Sequence, residues 1–176
     1  MLIYEALKQD HRKIERLLER LTQSAEDTRE ARKDLIAEIR DEFIPHSRAE
    51  EAVFYNSLRL IPETEGEIGE MFGEHIEAET HLRALQAMDA IDANWTVVAK
   101  KLRSAIEAHV EKEEGEIFSA AKQVLAEEEA EMMTDAFETM KVEVRENGFM
   151  RNTLDLIANL MPARFSESMR NIVHFR

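Results

Sequence analysis

Apolar residues recur at three- and four-residue steps along four stretches of this chain, the spacing that gathers them on one face of an α-helix. In the first stretch, about Ile3 to Thr22, the stripe is Ile3, Leu7, Ile14, Leu18 and Leu21. Polar residues from Ser24 to Thr28 then read as a loop. A second stripe, Leu35, Ile36, Ile39, Phe43, Val53, Phe54 and Leu58, predicts a helix over about Arg29 to Arg59. Pro45 falls inside it, and because proline lacks the amide hydrogen and crowds the preceding turn, a kink is expected there. Pro62 and Gly66 mark the next connection. A third helix is predicted over about Glu67 to Ile91, with Ile68, Met71, Phe72, Leu82, Leu85 and Met88 inward. Asp92 to Asn94 supply a short turn with capping residues. The fourth helix, about Trp95 to Leu125, turns Val98, Leu102, Ile106, Ile117 and Val124 inward.

Short connections make consecutive helices antiparallel. The expected fold class is therefore all-α: an up-down-up-down four-helix bundle over residues 1–125, with an additional C-terminal helical extension over residues 126–176. The extension reads as one acidic helix, a break at Asn147-Gly148, and one or two short helices around Pro162. It carries Met132, Met133, Met140, Met150, Met161 and Met169, and methionine packs adaptably against other surfaces. It is expected to pack on the bundle or to sit at an oligomer interface, pairing two chains as a homodimer.

Composition narrows the function. A chain of 176 residues suits one domain with a real core. The net charge of −14 argues against a nucleic-acid partner, because phosphate attraction needs a basic face. With no cysteine, thiolate zinc sites, iron–sulfur clusters, disulfides and cysteine catalysis are excluded. The N-terminal segment has no signal-peptide shape, and no apolar run approaches the ~18 residues of a membrane span. A soluble cytoplasmic protein with no membrane partner is the expectation.

Four of the six histidines interrupt the apolar stripes, one per helix: His11, His46, His75 and His109. Glutamate follows three of them four residues later, as Glu50, Glu79 and Glu113. Residues at that spacing lie one turn apart on one helix face, so each pair can point at the same place on the bundle axis. Burying four imidazoles and three carboxylates without a cation would be strongly unfavourable, so the constellation predicts a metal centre. Seven nitrogen and oxygen donors exceed one tetrahedral zinc and suit two ions sharing carboxylate bridges. Imidazole with carboxylate favours iron, with manganese or zinc ranked behind it.

The motifs Asp10-His11, His46-Ser-Arg-Ala-Glu50, Glu74-His75 and His109-Val-Glu-Lys-Glu113 are similar in order and spacing to those of the hemerythrin-like (HHE cation-binding) family. The resemblance covers about residues 1–125 and implies a four-helix bundle around two irons with a bridging oxo or hydroxo group. It implies that Glu50 and Glu113 bridge, that His75, Glu79 and His109 hold one iron, and that His11 and His46 hold the other, which keeps an open position for O2, peroxide or NO. Oxygen-carrying members have His at the place of Glu79, and an Asp one residue beyond the place of Glu113. An extra carboxylate favours the ferric state, so the resemblance points to catalase-like peroxide turnover rather than oxygen carriage. The alternative is a non-enzymatic protein that stores or senses iron or a gas.

Several neighbours read more plainly. Glu15, four residues after His11, lies outside the family pattern. Glu51 and Glu114, about 100° around the helix from the bridging positions, read as solvated, and His81 as exposed. Tyr4 and Tyr55 read first as packing residues, with supply of a hydrogen bond or an electron beside the site as the alternative, and His174 has no local partner. Gly115, just beyond a ligand position, would permit a close backbone approach.

Overall fold

The computed structural model describes residues 1–24, 28–88, 93–147, 157 and 160–165. Helix α1 spans Ile3–Gln23 and helix α2 spans Arg29–Glu50. Thr28 opens α2: its hydroxyl oxygen accepts the amide hydrogen of Ala31 at 3.2 Å, satisfying one donor that a first turn leaves without a partner. The chain continues through a π-helical segment, Glu51–Tyr55, and a last turn, Asn56–Leu58. Helix α3 is Glu65–Ala87, so Gly66 lies in its first turn and not in the connection. Helix α4 is Ala93–Lys112, followed by a second π-helical segment, Glu113–Ile117, and a final stretch, Phe118–Val124. Helix α5, Glu127–Asn147, is the acidic helix of the extension. Beyond it, residues 163–165 are helical, with the Phe165 amide bonded to the Pro162 carbonyl at 2.9 Å. The expected end of the third helix near Ile91, Asp92 in the turn, Gly148 in the break and His174 lie outside the described residues.

Two apolar clusters fill the interior, and the order in which the helices visit them gives the topology. Helix α1 leaves a cluster holding Ile3 and Leu7 and enters one holding Ile14, Leu18 and Leu21. Helix α2 returns, from Leu35 and Ile39 in the second cluster to Val53, Phe54 and Leu58 in the first. Helix α3 crosses from Ile68 to Leu82, and α4 crosses back from Leu102 to Ile117 and Phe118. Consecutive helices are therefore antiparallel, as the short connections require. All four histidine positions fall where the helices pass from one cluster to the other.

Helix α5 packs along α2 and α1 and buries Met133, Ala136, Phe137 and Met140 in the first cluster. That coverage explains why Ala52, Val53, Phe54 and Tyr55 are buried in succession: the bundle takes one side of the segment and α5 takes another. At Pro45 the helix runs on without a break. Proline has no amide hydrogen for the carbonyl of Asp41, four residues back, and the Arg145 Nε–H of α5 donates to that carbonyl at 3.3 Å instead. Among the described residues no helix is long and apolar enough to cross a membrane.

Candidate metal centre

Each of the four bundle helices brings one buried histidine to the boundary between the two clusters: His11 on α1, His46 on α2, His75 on α3 and His109 on α4. The last residue of α2, Glu50, and the first residue of the second π-helical segment, Glu113, are fully buried among them. Two triads could each hold a metal ion, His11–His46–Glu50 and Glu50–His75–His109, with their ligating atoms within 4.8 Å of one another. Glu50 belongs to both, so it stands between two metal positions. Glu113 joins from the α1 side, with its Oε2 3.1 Å from the Nε2 of His11. Tyr55, also fully buried, donates its hydroxyl hydrogen to Glu113 Oε1 at 3.0 Å and stacks on the His75 ring at 5.6 Å.

The outward nitrogen of every imidazole meets a carboxylate. His11 Nδ1 is 3.0 Å from Glu114, His46 Nδ1 is 3.3 Å from Asp10, His75 Nδ1 is 3.0 Å from Glu51, and His109 Nδ1 is 2.9 Å from Glu74. An ionised carboxylate can only accept, so each Nδ1 carries a hydrogen and each Nε2 faces inward, offering a lone pair wherever the ring is neutral. Each of these carboxylates also meets a cation: Arg12 on Glu114, Lys141 on Asp10, Arg48 on Glu51 and Lys112 on Glu74. Asp10 is lowered to about 2 because His46 and Lys141 outweigh its burial. Glu74, bonded first to His109, and Glu114, bonded first to His11, are lowered too.

These carboxylates form a ring around the bundle. Asp10 of α1 serves His46 of α2, and Glu51 beyond α2 serves His75 of α3. Glu74 of α3 serves His109 of α4, and Glu114 beyond α4 serves His11 of α1. Each sits beside an inward residue in sequence: 10 beside 11, 51 beside 50, 74 beside 75, and 114 beside 113. A step of one residue turns about 100° around a helix, which aims the side chain at the adjoining helix. The expectation that Glu51 and Glu114 are solvated is corrected here. Their signal in the sequence was an acidic neighbour next to an inward residue on all four helices.

The centre has an excess of lone pairs. His75 Nε2 lies 3.1 Å from His109 Nε2 and 3.2 Å from Glu50 Oε2, so two imidazole nitrogens whose rings already donate from Nδ1 crowd against one carboxyl oxygen. Neither oxygen of Glu50 accepts a hydrogen bond of good geometry, nor does Oε2 of Glu113. Buried acceptors left so are strongly unfavourable, and a cation relieves them. The donor set, four imidazole nitrogens and two carboxylates with no sulfur, fits a pair of iron ions. The protonation states carry the same mark. Burial, reinforced by the charge of Glu113, raises Glu50 well above the usual carboxylate range. Burial would also raise Glu113, but His11 outweighs it and lowers it. Burial opposes the His11 imidazolium, yet Glu113 and Glu114 prevail and lift it to about 10. Burial lowers His46 to about 4 against the pull of Asp10, and it lowers His109 as well. Tyr55 rises well above 10 through burial and the neighbouring carboxylates.

Glu79 stands apart from the other six residues. It is in neither triad; its carboxylate is gripped by Arg48 of α2 and Arg83 of its own helix. Both guanidiniums favour its charged form over the effect of burial, so it stays lowered. An arginine from the next helix competes for the carboxylate, which the His-x-x-x-Glu spacing alone does not reveal. Glu15 pairs with Arg12 at 2.6 Å, and half-buried His81 lies 3.7 Å from Glu77. An ideal Cβ at Gly115 would meet nothing within 4 Å, so no close backbone approach uses that glycine.

Comparison with known proteins agrees with this geometry. A DNA nickase from Nostoc sp. (strain PCC 7120 / SAG 25.82 / UTEX 2576) is 25% identical over 146 residues, covering 83% of this chain and 41% of that protein. The chain thus spans less than half of that relative's length. No solved structure matches the chain at a significant level. Residues 2–121 match the model of the hemerythrin HHE cation binding domain, and the chain belongs to that family.

Proposed function

We propose that His11, His46, Glu50, His75, His109 and Glu113 hold two iron ions with an oxo or hydroxo bridge, and that the pair binds O2, NO or peroxide and disproportionates hydrogen peroxide to water and oxygen. The observation that carries this reading is the convergence of three buried polar atoms, His75 Nε2, His109 Nε2 and Glu50 Oε2, with at most the proton that burial holds on Glu50 and the Tyr55 hydroxyl, 3.4 Å from His109, to share among them. Six donors shared by two ions that each favour five or six ligands leave positions for a small molecule. The irons, when bound, would supply the two-electron redox chemistry that turnover of peroxide needs.

The chain's own residues set the conditions. The carboxylates at the four Nδ1 atoms make each imidazole a stronger donor, which favours the ferric state. That role passes to them from Glu79, which the arginines hold. Tyr55 offers a hydroxyl hydrogen at Glu113, and Phe43, edge-on to His75 at 5.9 Å, helps exclude water. Burial of Met133, Phe137 and Met140 against the bundle supports the capping role of the extension over a homodimer interface. The relative's action on DNA is not carried over, since a charge of −14 repels phosphate and more than half of that protein lies beyond the match.

Metal analysis of the untagged protein, followed by oxygen evolution from peroxide, tests the proposal. About two irons per chain and a rate well above that of free iron are expected. Iron without oxygen evolution would move the reading to storage or sensing, and zinc alone would sink the redox reading. Supercoiled plasmid should stay intact in the same preparation.

A further inference from the structure

The four outer carboxylates share a design, and one departs from it. Glu114, Glu51 and Glu74 are held by Arg12, Arg48 and Lys112, all from the bundle helices, with side chains 50%, 30% and 23% exposed. Asp10 is held by Lys141, whose side chain is 7% exposed and which comes from α5, beyond the residues that the family model matches. The Lys141 ammonium reaches both oxygens of Asp10, at 3.0 and 2.8 Å, and Asp10 Oδ2 lies 3.3 Å from His46 Nδ1. The same helix places Phe137 edge-on to the His46 ring, at 5.8 Å and 88°, one turn before Lys141. Lys141 in turn lies 4.8 Å over the Phe137 ring and 3.0 Å from Glu138. An exposed ion pair contributes little, but a buried ammonium that lost its carboxylate would be strongly disfavoured, so this contact is the firm one of the four.

We infer that α5 is a fifth wall of the metal centre, and that Lys141 is a positioning residue which, by fixing Asp10 on the Nδ1–H of His46, holds His46 Nε2 toward the His11–His46–Glu50 position. The inference rests on the metal reading above and extends it to a helix outside the bundle. Lys141 touches no ligand; it acts through Asp10. Outer partners of this kind commonly change metal affinity by about 10- to 100-fold. The effect should fall on one of the two ions, because His75 and His109 are served by other carboxylates.

The test uses the full-length chain as wild type, Lys141→Met, Lys141→Arg, Asp10→Asn, and the double variant Asp10→Asn/Lys141→Met. Metal-stripped protein is titrated anaerobically with ferrous iron against a competing chelator, and the His46 tautomer is read by 15N NMR before iron is added. Lys141→Met should weaken one iron equivalent by about 10- to 100-fold and leave the other alone. His46 should lose its fixed Nδ1–H form in that variant. Lys141→Arg should recover most of the affinity, and the double variant should lose no more than Asp10→Asn. Two unchanged affinities in Lys141→Met would overturn the inference, as would losses that multiply in the double variant. If Lys141→Met does not fold, Asp10→Asn and Lys141→Arg decide by the same measures. Wild type that binds no iron while its His46 tautomer still depends on Lys141 would sink the metal reading and keep the positioning contact.

Discussion

The layer of buried histidines and glutamates divides the interior into two unlike halves. The half that holds Ile14, Leu18, Ile39, Leu82 and Leu102 is built mainly of aliphatic side chains on regular α-helix. The other half holds Tyr4, Phe54, Tyr55, Phe118 and Phe137, carries both π-helical segments and is covered by α5. Its rings pack edge-on, as in Tyr4–Phe54 at 6.1 Å and Phe54–Phe118 at 5.9 Å. The π-helical segments begin at residues 51 and 113, the first directly after buried Glu50 and the second at buried Glu113. Such wide turns are rare and cluster at functional sites. One half is a scaffold that any amphipathic bundle would have; the other is shaped by what the layer must hold.

The layer itself should show the largest response. Replacing Glu50 by Met removes the carboxylate common to both triads, so bound iron should fall from about two per chain to near zero. The metal-free variant should be more stable than metal-free wild type by about 1–4 kcal/mol, because a buried polar group whose oxygens find no good partner has been replaced by an apolar one. Chemical denaturation of both apo-proteins checks this, and equal or lower stability would contradict the excess of acceptors.

Truncations in the two halves sharpen the contrast. Phe137→Ala should cost about 3–5 kcal/mol and Leu18→Ala about 2–5 kcal/mol. Similar losses of stability should come with different metal behaviour. Phe137→Ala should release iron faster to a chelator, since its ring borders His46, while Leu18→Ala should release it at the wild-type rate.

A pH series separates the two histidines of one triad. His11 is raised from 6.5 to about 10 in the metal-free chain, so its charge stabilises the fold below about pH 6.5 and that contribution is lost as pH rises through about 10. Iron must displace the same proton, so iron affinity should climb over that window by up to about tenfold per pH unit. His46, lowered to about 4, is already neutral there and adds no slope. Competition titrations at several pH values check both signs, and an affinity flat between pH 6.5 and 10 would contradict them.

The smallest effect belongs to Gly115 in the second π-helical segment. Open space surrounds the place of a Cβ, so Gly115→Ala should raise stability by about 0.5–1 kcal/mol and leave iron binding unchanged. A loss of iron would mean that the segment needs glycine to form its wide turn.

Much of this molecule was legible along the chain. The apolar stripes place the bundle helices, because burial on a helix must repeat at its own period. The four inward histidines, Glu50 and Glu113 stand out because polar residues on an apolar stripe require a reason to be buried. What lies one step around the helix was marked in the sequence but not explained by it. Glu51 and Glu114 read as surface acids, and the partners of Asp10 and Glu74 stayed open, until the neighbouring helix brought a histidine to each. Glu79 shares the spacing of Glu50 and Glu113 yet meets Arg48 of α2, and Lys141 meets Asp10 only because α5 packs on the bundle. Helical periodicity reports which side of one helix faces inward. Which partner a carboxylate finds depends on the distance between two helices, and only their packing decides that.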